Sequence, residues 1–137
     1  MKKLTLSLLS LLLILCLAAC GAPEATGIWE NATYKENTTV GSGANTVTLE
    51  VAAEETTVTL TVKTDETMLG AALLAEGIIA GEEGPYGLYI KSVNGMTADY
   101  DVDGTYWALY IDGEYAMSGV SSTSITEGTV YSFKAES

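Results

Sequence analysis

Two short runs constrain this chain most: Thr46-Val47-Thr48-Leu49-Glu50-Val51 and Thr57-Val58-Thr59-Leu60-Thr61-Val62-Lys63. Both alternate aliphatic side chains with threonine or another polar residue. A strand sends successive side chains to opposite faces, so Val47, Leu49 and Val51 share one face, as do Val58, Leu60 and Val62. Threonine on the other face suits an antiparallel pair with one side in water. Such a pair is not stable alone; its apolar face needs a second layer.

The next segment supplies that layer. After Thr64-Asp65-Glu66-Thr67 the apolar period changes, and Met68, Leu69, Ala72 and Leu73 recur at helical spacing. Thr64 or Asp65 can cap the helix, and Gly77 can stop it, which predicts about three turns from Glu66 to Glu76. Ile78 to Gly84 reads as a turn-rich connection with Ile78 and Ile79 tucked inward. Gly87 to Val93 is a predicted strand closing on the hairpin dipeptide Asn94-Gly95, with a brief return at Met96 to Ala98. Tyr100 to Gly104 reads as an acidic loop. Thr105 to Ile111 carries large side chains on both faces, as a strand covered on two sides does, and turns at Asp112-Gly113. Ser118 to Ser124 is a predicted loop, and Val130 to Lys134 a last strand. The order strand, strand, helix, short strands predicts an α+β domain of β-grasp type, its mostly antiparallel sheet carrying one helix on one face.

Residues 1–19 resemble a leader. Lys2 and Lys3 precede an apolar run, Leu4 to Leu17, too short to span a bilayer as a permanent helix. Leu17-Ala18-Ala19-Cys20 resembles the lipobox of bacterial lipoproteins, whose cysteine is lipid-modified and becomes the new N-terminus. An ordinary secretory leader with an incidental cysteine is the alternative. The lipobox reading predicts a membrane-anchored chain facing outside the cytoplasm. Cys16 then leaves with the leader and Cys20 carries lipid, so no disulfide forms within the chain. Gly21 to Asn45 shows no sustained period and reads as a linker from the lipid at Cys20, which places the domain at residues 46–137; packing of Trp29 and Tyr34 on the domain is the alternative.

Charge narrows the function. Six Lys and Arg stand against 18 Asp and Glu, a net of −12. Loss of Lys2 and Lys3 with the leader takes this to −14. That sign opposes nucleic-acid binding, which rests on neutralising phosphates. The chain has no histidine and no arginine, so the commonest general base, the commonest metal ligand and the bidentate anion clamp are all missing. No G-x-S-x-G nucleophile motif occurs. The expectation is a protein that is not an enzyme and carries no cofactor.

One motif points to a metal. Asp99-Tyr100-Asp101-Val102-Asp103-Gly104 has the D-x-D-x-D-G spacing that opens a calcium loop. The twelfth position is Tyr110, where such loops place a bidentate glutamate, so an acidic solvated loop is the plainer reading.

Three pieces together carry a family resemblance: Gly87-Leu88-Tyr89-Ile90-Lys91-Ser92-Val93-Asn94-Gly95, then Tyr106-Trp107-Ala108-Leu109, then Gly119-Val120. In this order they resemble the C-terminal β-domain of transcobalamin and intrinsic factor, known in bacterial lipoproteins as a transcobalamin-like or DUF4430 domain. The resemblance covers about Val47 to Glu136. It implies a β-grasp-like fold and a role in binding cobalamin or a similar corrinoid, with Tyr89, Ser92, Val93, Asn94, Tyr106 and Trp107 as contact residues. Ala108 stands where the vertebrate carriers tend to have glutamine, so one amide contact is missing. The helical barrel that closes their clamp has no counterpart in these 137 residues. A membrane transporter or a second binding domain is the implied partner. The alternative is a protein-interaction or adhesion module that docks through a sheet edge or the aromatic patch.

Overall fold

The computed structural model describes residues 27–137. The leader and Cys20 lie outside the described residues. The strands are β1 (Thr38–Gly41), β2 (Asn45–Ala53), β3 (Thr56–Thr64), β4 (Ile79–Gly84), β5 (Gly87–Val93), β6 (Met96–Thr97), β7 (Tyr106–Ile111), β8 (Glu114–Tyr115) and β9 (Val130–Glu136). Two helices, α1 (Leu69–Ala75) and α2 (Tyr100–Asp103), and two 3₁₀ turns, Gly27–Asn31 and Val120–Ser122, complete the described chain.

A six-stranded sheet in the order β1-β3-β2-β9-β7-β8 forms one layer. The alternating runs pair antiparallel as β2 and β3, with Leu49 opposite Leu60. The last strand, β9, enters beside β2 in parallel and pairs antiparallel with β7 on its other side. A first hairpin that accepts the final strand in parallel, with the helix between, is the β-grasp arrangement. The fold is α+β, as the element order implies, and most strand pairings are antiparallel.

Every core-facing aliphatic residue of the hairpin is buried, and Tyr131 and Phe133 of β9 continue the same face. The opposing layer holds α1, the small sheet β4-β5-β6 and the 3₁₀ turn at Val120. Leu69, Ala72 and Leu73 form the buried stripe of α1. Gly70 lets the helix lie against the Val120–Ser122 turn, because a Cβ there would sit 3.1 Å from Ser121 Cα. Gly77 ends the helix in the left-handed region at φ 68°. Its N–H donates to Leu74 O and that of Ile78 to Leu73 O, which satisfies two terminal carbonyls.

Four expectations are corrected. The helix starts at Leu69 rather than Glu66, because its candidate caps serve elsewhere: Thr64 Oγ1 accepts from Glu66 N–H, and Asp65 Oδ1 accepts from Ala44 N–H. Residues 79–84 form strand β4 despite their glycines, since β5 supplies a backbone partner along that length. Residues 100–103 form a short helix because Asp99 caps it, its carboxylate accepting from Asp101 N–H. β9 runs to Glu136 because β7 pairs with it to the end.

The linker reading fails from Gly27 onward. Trp29 is 4 % exposed, and its indole N–H donates to Ala53 O at 2.9 Å. Asn94 grips Tyr34 through both amide atoms, and β1 joins the sheet parallel to β3. This strap covers one flank of the core. Ahead of β1 it lacks a period because its contacts are single anchors rather than a continuous face.

Candidate ligand groove

A groove of about 360 Å³ opens between the two layers. Leu88, Tyr89 and Ile90 of β5 form one wall, and the segment from Tyr115 to Val120 forms the other. Trp107 and Leu109 of β7, with Phe133 of β9, supply the floor, which Tyr106 borders. Pairing sets this floor: Leu109 lies opposite Phe133 and Trp107 opposite Ala135, all on the core face. Trp107 is 7 % exposed, and its indole N–H donates to Met96 O at 3.1 Å. The ring is thus a fixed part of the core whose edge reaches the groove.

The walls are tied to each other. Ser121 Oγ accepts from Leu88 N–H at 3.3 Å, and Ala116 N–H donates to Leu109 O at 2.9 Å. Thr123 Oγ1 donates to Gly119 O and closes the 3₁₀ turn. Gly87, at φ 99°, lets the β4–β5 turn approach Ser121. Around the mouth, Tyr89 and Tyr115 are about half exposed, and Met117 is 97 % exposed.

Two features define the chemistry. None of the lining residues is charged, in a chain of net charge −12. The β5 wall and the β7 floor also each carry an open strand edge. β6 pairs with β5 at Ser92 and Val93, so Leu88 to Ile90 have no strand neighbour on that side. β8 pairs with β7 at Tyr110 and Ile111, which leaves Tyr106 to Ala108 similarly open. Apolar surface flanked by backbone donors and acceptors suits an uncharged amphipathic guest.

Of the sequence-predicted site residues, the structure brings Tyr89, Tyr106 and Trp107 to the groove. Ser92, Val93 and Asn94 lie elsewhere, toward the far end of β5; Asn94 is roughly 16 Å along the strand from Tyr89. Val93 is fully buried, and Asn94 serves the strap. Sequence reasoning missed Leu88, Ile90, Leu109, Phe133 and most of the Tyr115–Val120 wall. The Gly119-Val120 pair was the one signal for that wall, because it formed part of the motif order.

The acidic run does not make a metal site. Asp99 caps α2, and Asp103 accepts from the N–H and hydroxyl of Thr105. These bonds, with the hydroxyl's first, hold the Asp103 pKa below its ordinary value. On a helical turn, residues two apart do not face each other, so the three carboxylates diverge. Among the described residues, no three His, Cys, Asp or Glu side chains gather where a metal could sit. Lys91 lies nearby, 3.4 Å from Glu82; the bond and charge of Glu82, then Asp99 and Asp101, raise its pKa.

Behind the floor, Tyr106 and Tyr110 point to the outer face of the sheet, and both hydroxyls donate to Glu136. Bonding to that carboxylate, then desolvation and the carboxylate's charge, push the Tyr110 pKa from 10.0 up to about 12. The fold therefore favours the neutral phenol. Its contribution is complete below pH 10 and is lost as the pH rises through about 12. Glu136→Gln should return Tyr110 toward its ordinary value and flatten the alkaline loss of stability. Phenolate absorbance during a pH titration, with thermal melts alongside, checks both.

Residues 65–137 match the profile of a family described as a domain of unknown function, DUF4430. The chain belongs to the DUF4430 family. The motif order in β5, β7 and the Gly119-Val120 turn agrees with that membership. Among solved structures, the DUF4430 chain is similar to a candidate metal binding protein from Ruminococcus gnavus, at 28 % identity and a TM-score of 0.64. That match covers 68 % of this chain and 97 % of the other. Haptocorrin in complex with Cbi matches at 21 % identity and a TM-score of 0.47, over 67 % of this chain and 25 % of haptocorrin. The chain thus spans about a quarter of haptocorrin's length. No curated protein matches it.

Proposed function

We propose that this protein binds a broad, uncharged, amide-edged small molecule in the groove, a corrinoid such as cobalamin being the ligand class, without chemical turnover. The observation that carries the reading is an uncharged groove, bordered by two open strand edges, in a strongly acidic chain. A corrin offers a flat apolar face for Tyr89, Met117 and the Trp107 edge, and peripheral amides for the strand edges. A metal held inside a macrocycle also reconciles the metal-binding description of the Ruminococcus gnavus protein with a groove that has no acid, His or Cys to ligate a bare ion. The lipobox reading adds a lipid anchor at Cys20, with the domain outside the cytoplasm passing its ligand to a membrane transporter.

Titration with cobalamins should quench Trp107 fluorescence and release heat. Tyr89→Ala and Met117→Ala should each weaken binding about tenfold, near 1.4 kcal/mol, while Asp101→Asn leaves it unchanged. Absence of both quenching and heat at high micromolar ligand defeats the reading. For the anchor, Cys20→Ser should move the protein from the membrane fraction to the soluble one; retention in the membrane would remove the lipid from the account.

A protein-docking role is the second reading, favoured by the 95 % exposure of Tyr86 and the 97 % exposure of Met117. Its signature is a protein complex lost in Tyr86→Ala, with no response to corrinoids.

A further inference from the structure

The Asn94-Gly95 turn lies outside the groove and its mouth. We propose that Asn94 is a modification site whose spontaneous deamidation is held off by the docked strap and, once it occurs, releases the strap irreversibly. The side chain is 1 % exposed. Its Oδ1 accepts from Tyr34 N–H at 2.9 Å, and its Nδ2 donates to Tyr34 O at 2.8 Å. Its own carbonyl accepts from Thr33 N–H at 2.8 Å. The strap also lies directly over Gly95, where a Cβ would fall 2.7 Å from Asn31 O.

Glycine after asparagine leaves the main-chain nitrogen unhindered. When that nitrogen gives its proton to hydroxide, it can bond to Asn94 Cγ; the C–NH₂ bond breaks, and the departing nitrogen takes a proton from water and leaves as ammonia, which regenerates hydroxide. Water then opens the cyclic imide to an aspartyl or isoaspartyl residue. No redox partner is needed. Attack requires Cγ to turn toward Gly95 N, which breaks both bonds to Tyr34, so the reaction proceeds from the strap-open state.

The product cannot restore the contact. A carboxylate has no N–H for Tyr34 O, and it sets an acceptor against an acceptor at a buried position. It also adds a negative charge to a chain already at −12. The segment ahead of β1, around Tyr34, is then released from the turn, while β1 stays paired with β3.

The test incubates the full chain at mildly alkaline pH and maps aspartyl and isoaspartyl products at position 94 by mass spectrometry. The wild type should react far more slowly than a peptide spanning residues 92–97. Trp29→Ala should react roughly tenfold faster or more than wild type. Its folded state is followed through Trp107, then the sole tryptophan of the two in the chain. Asn37→Ala loosens the strap more gently, by removing the amide oxygen that accepts from Thr59 N–H at 2.9 Å, and should move the rate in the same direction. Asn94→Asp should speed proteolysis within residues 27–41. The proposal is overturned if wild type matches the free peptide, if neither strap variant reacts faster, or if Asn94→Asp resists protease as wild type does.

Discussion

Replacing Phe133 with alanine should lower stability by about 3–5 kcal/mol. Phe133 is fully buried at the centre of β9, paired with Val51 on one side and Leu109 on the other. Two terms add: the lost transfer of a phenyl ring from water, and a cavity that rigid strands on both sides cannot collapse to fill. An exposed aromatic of the same size, such as Tyr86 at 95 % exposure, should cost little when truncated. Urea denaturation separates the cases. Phe133→Ala should lower the midpoint with little change in slope, because the surface exposed on unfolding changes little. The same ring is part of the groove floor, so ligand affinity should fall with it. A loss near zero would mean that β9 does not sit between β2 and β7.

Trp29→Ala should cost a comparable amount, about 3–5 kcal/mol. A tryptophan in a solvated linker would cost almost nothing. Here the indole is buried and its N–H is paired with Ala53 O, so truncation opens a cavity and leaves a carbonyl short of its donor. Part of the loss should appear as local release of the strap before global unfolding, because ahead of β1 single anchors hold it. Hydrogen exchange distinguishes the two: amides from Gly27 to Gly41 should lose protection first, ahead of those in β2 and β3. Uniform loss of protection would instead place the strap within the cooperative core.

Legibility followed the kind of contact. The β2–β3 hairpin was readable because each inward aliphatic repeats the same message at period two, and one face is wholly buried. The Asn94-Gly95 and Asp112-Gly113 turns were readable because tight turns need φ > 0, and Asn94 and Asp112 adopt φ 54° and 48° there. β4 was not, because Ala80 to Gly84 is small and polar and becomes a strand through its partner β5. Tyr89 and Trp107 were found through a motif, whereas Phe133 and the Tyr115–Val120 wall come from distant parts of the chain. Asn94 lies apart from the groove for the same reason: a turn asparagine looks alike in sequence whether it faces a ligand or, as here, bonds Tyr34.

The sequence by itself determined the α+β class, the inward face of the hairpin, the turns and the absence of histidine and arginine chemistry. These are local properties, set by side-chain period, backbone dihedrals and composition. Only the tertiary structure decided that the N-terminal segment is a strap, that the acidic run closes on itself, and that β5 and β7 leave facing edges open around an uncharged groove. Those outcomes depend on which residues meet across long stretches of chain, where pairing and burial decide and local pattern carries no information.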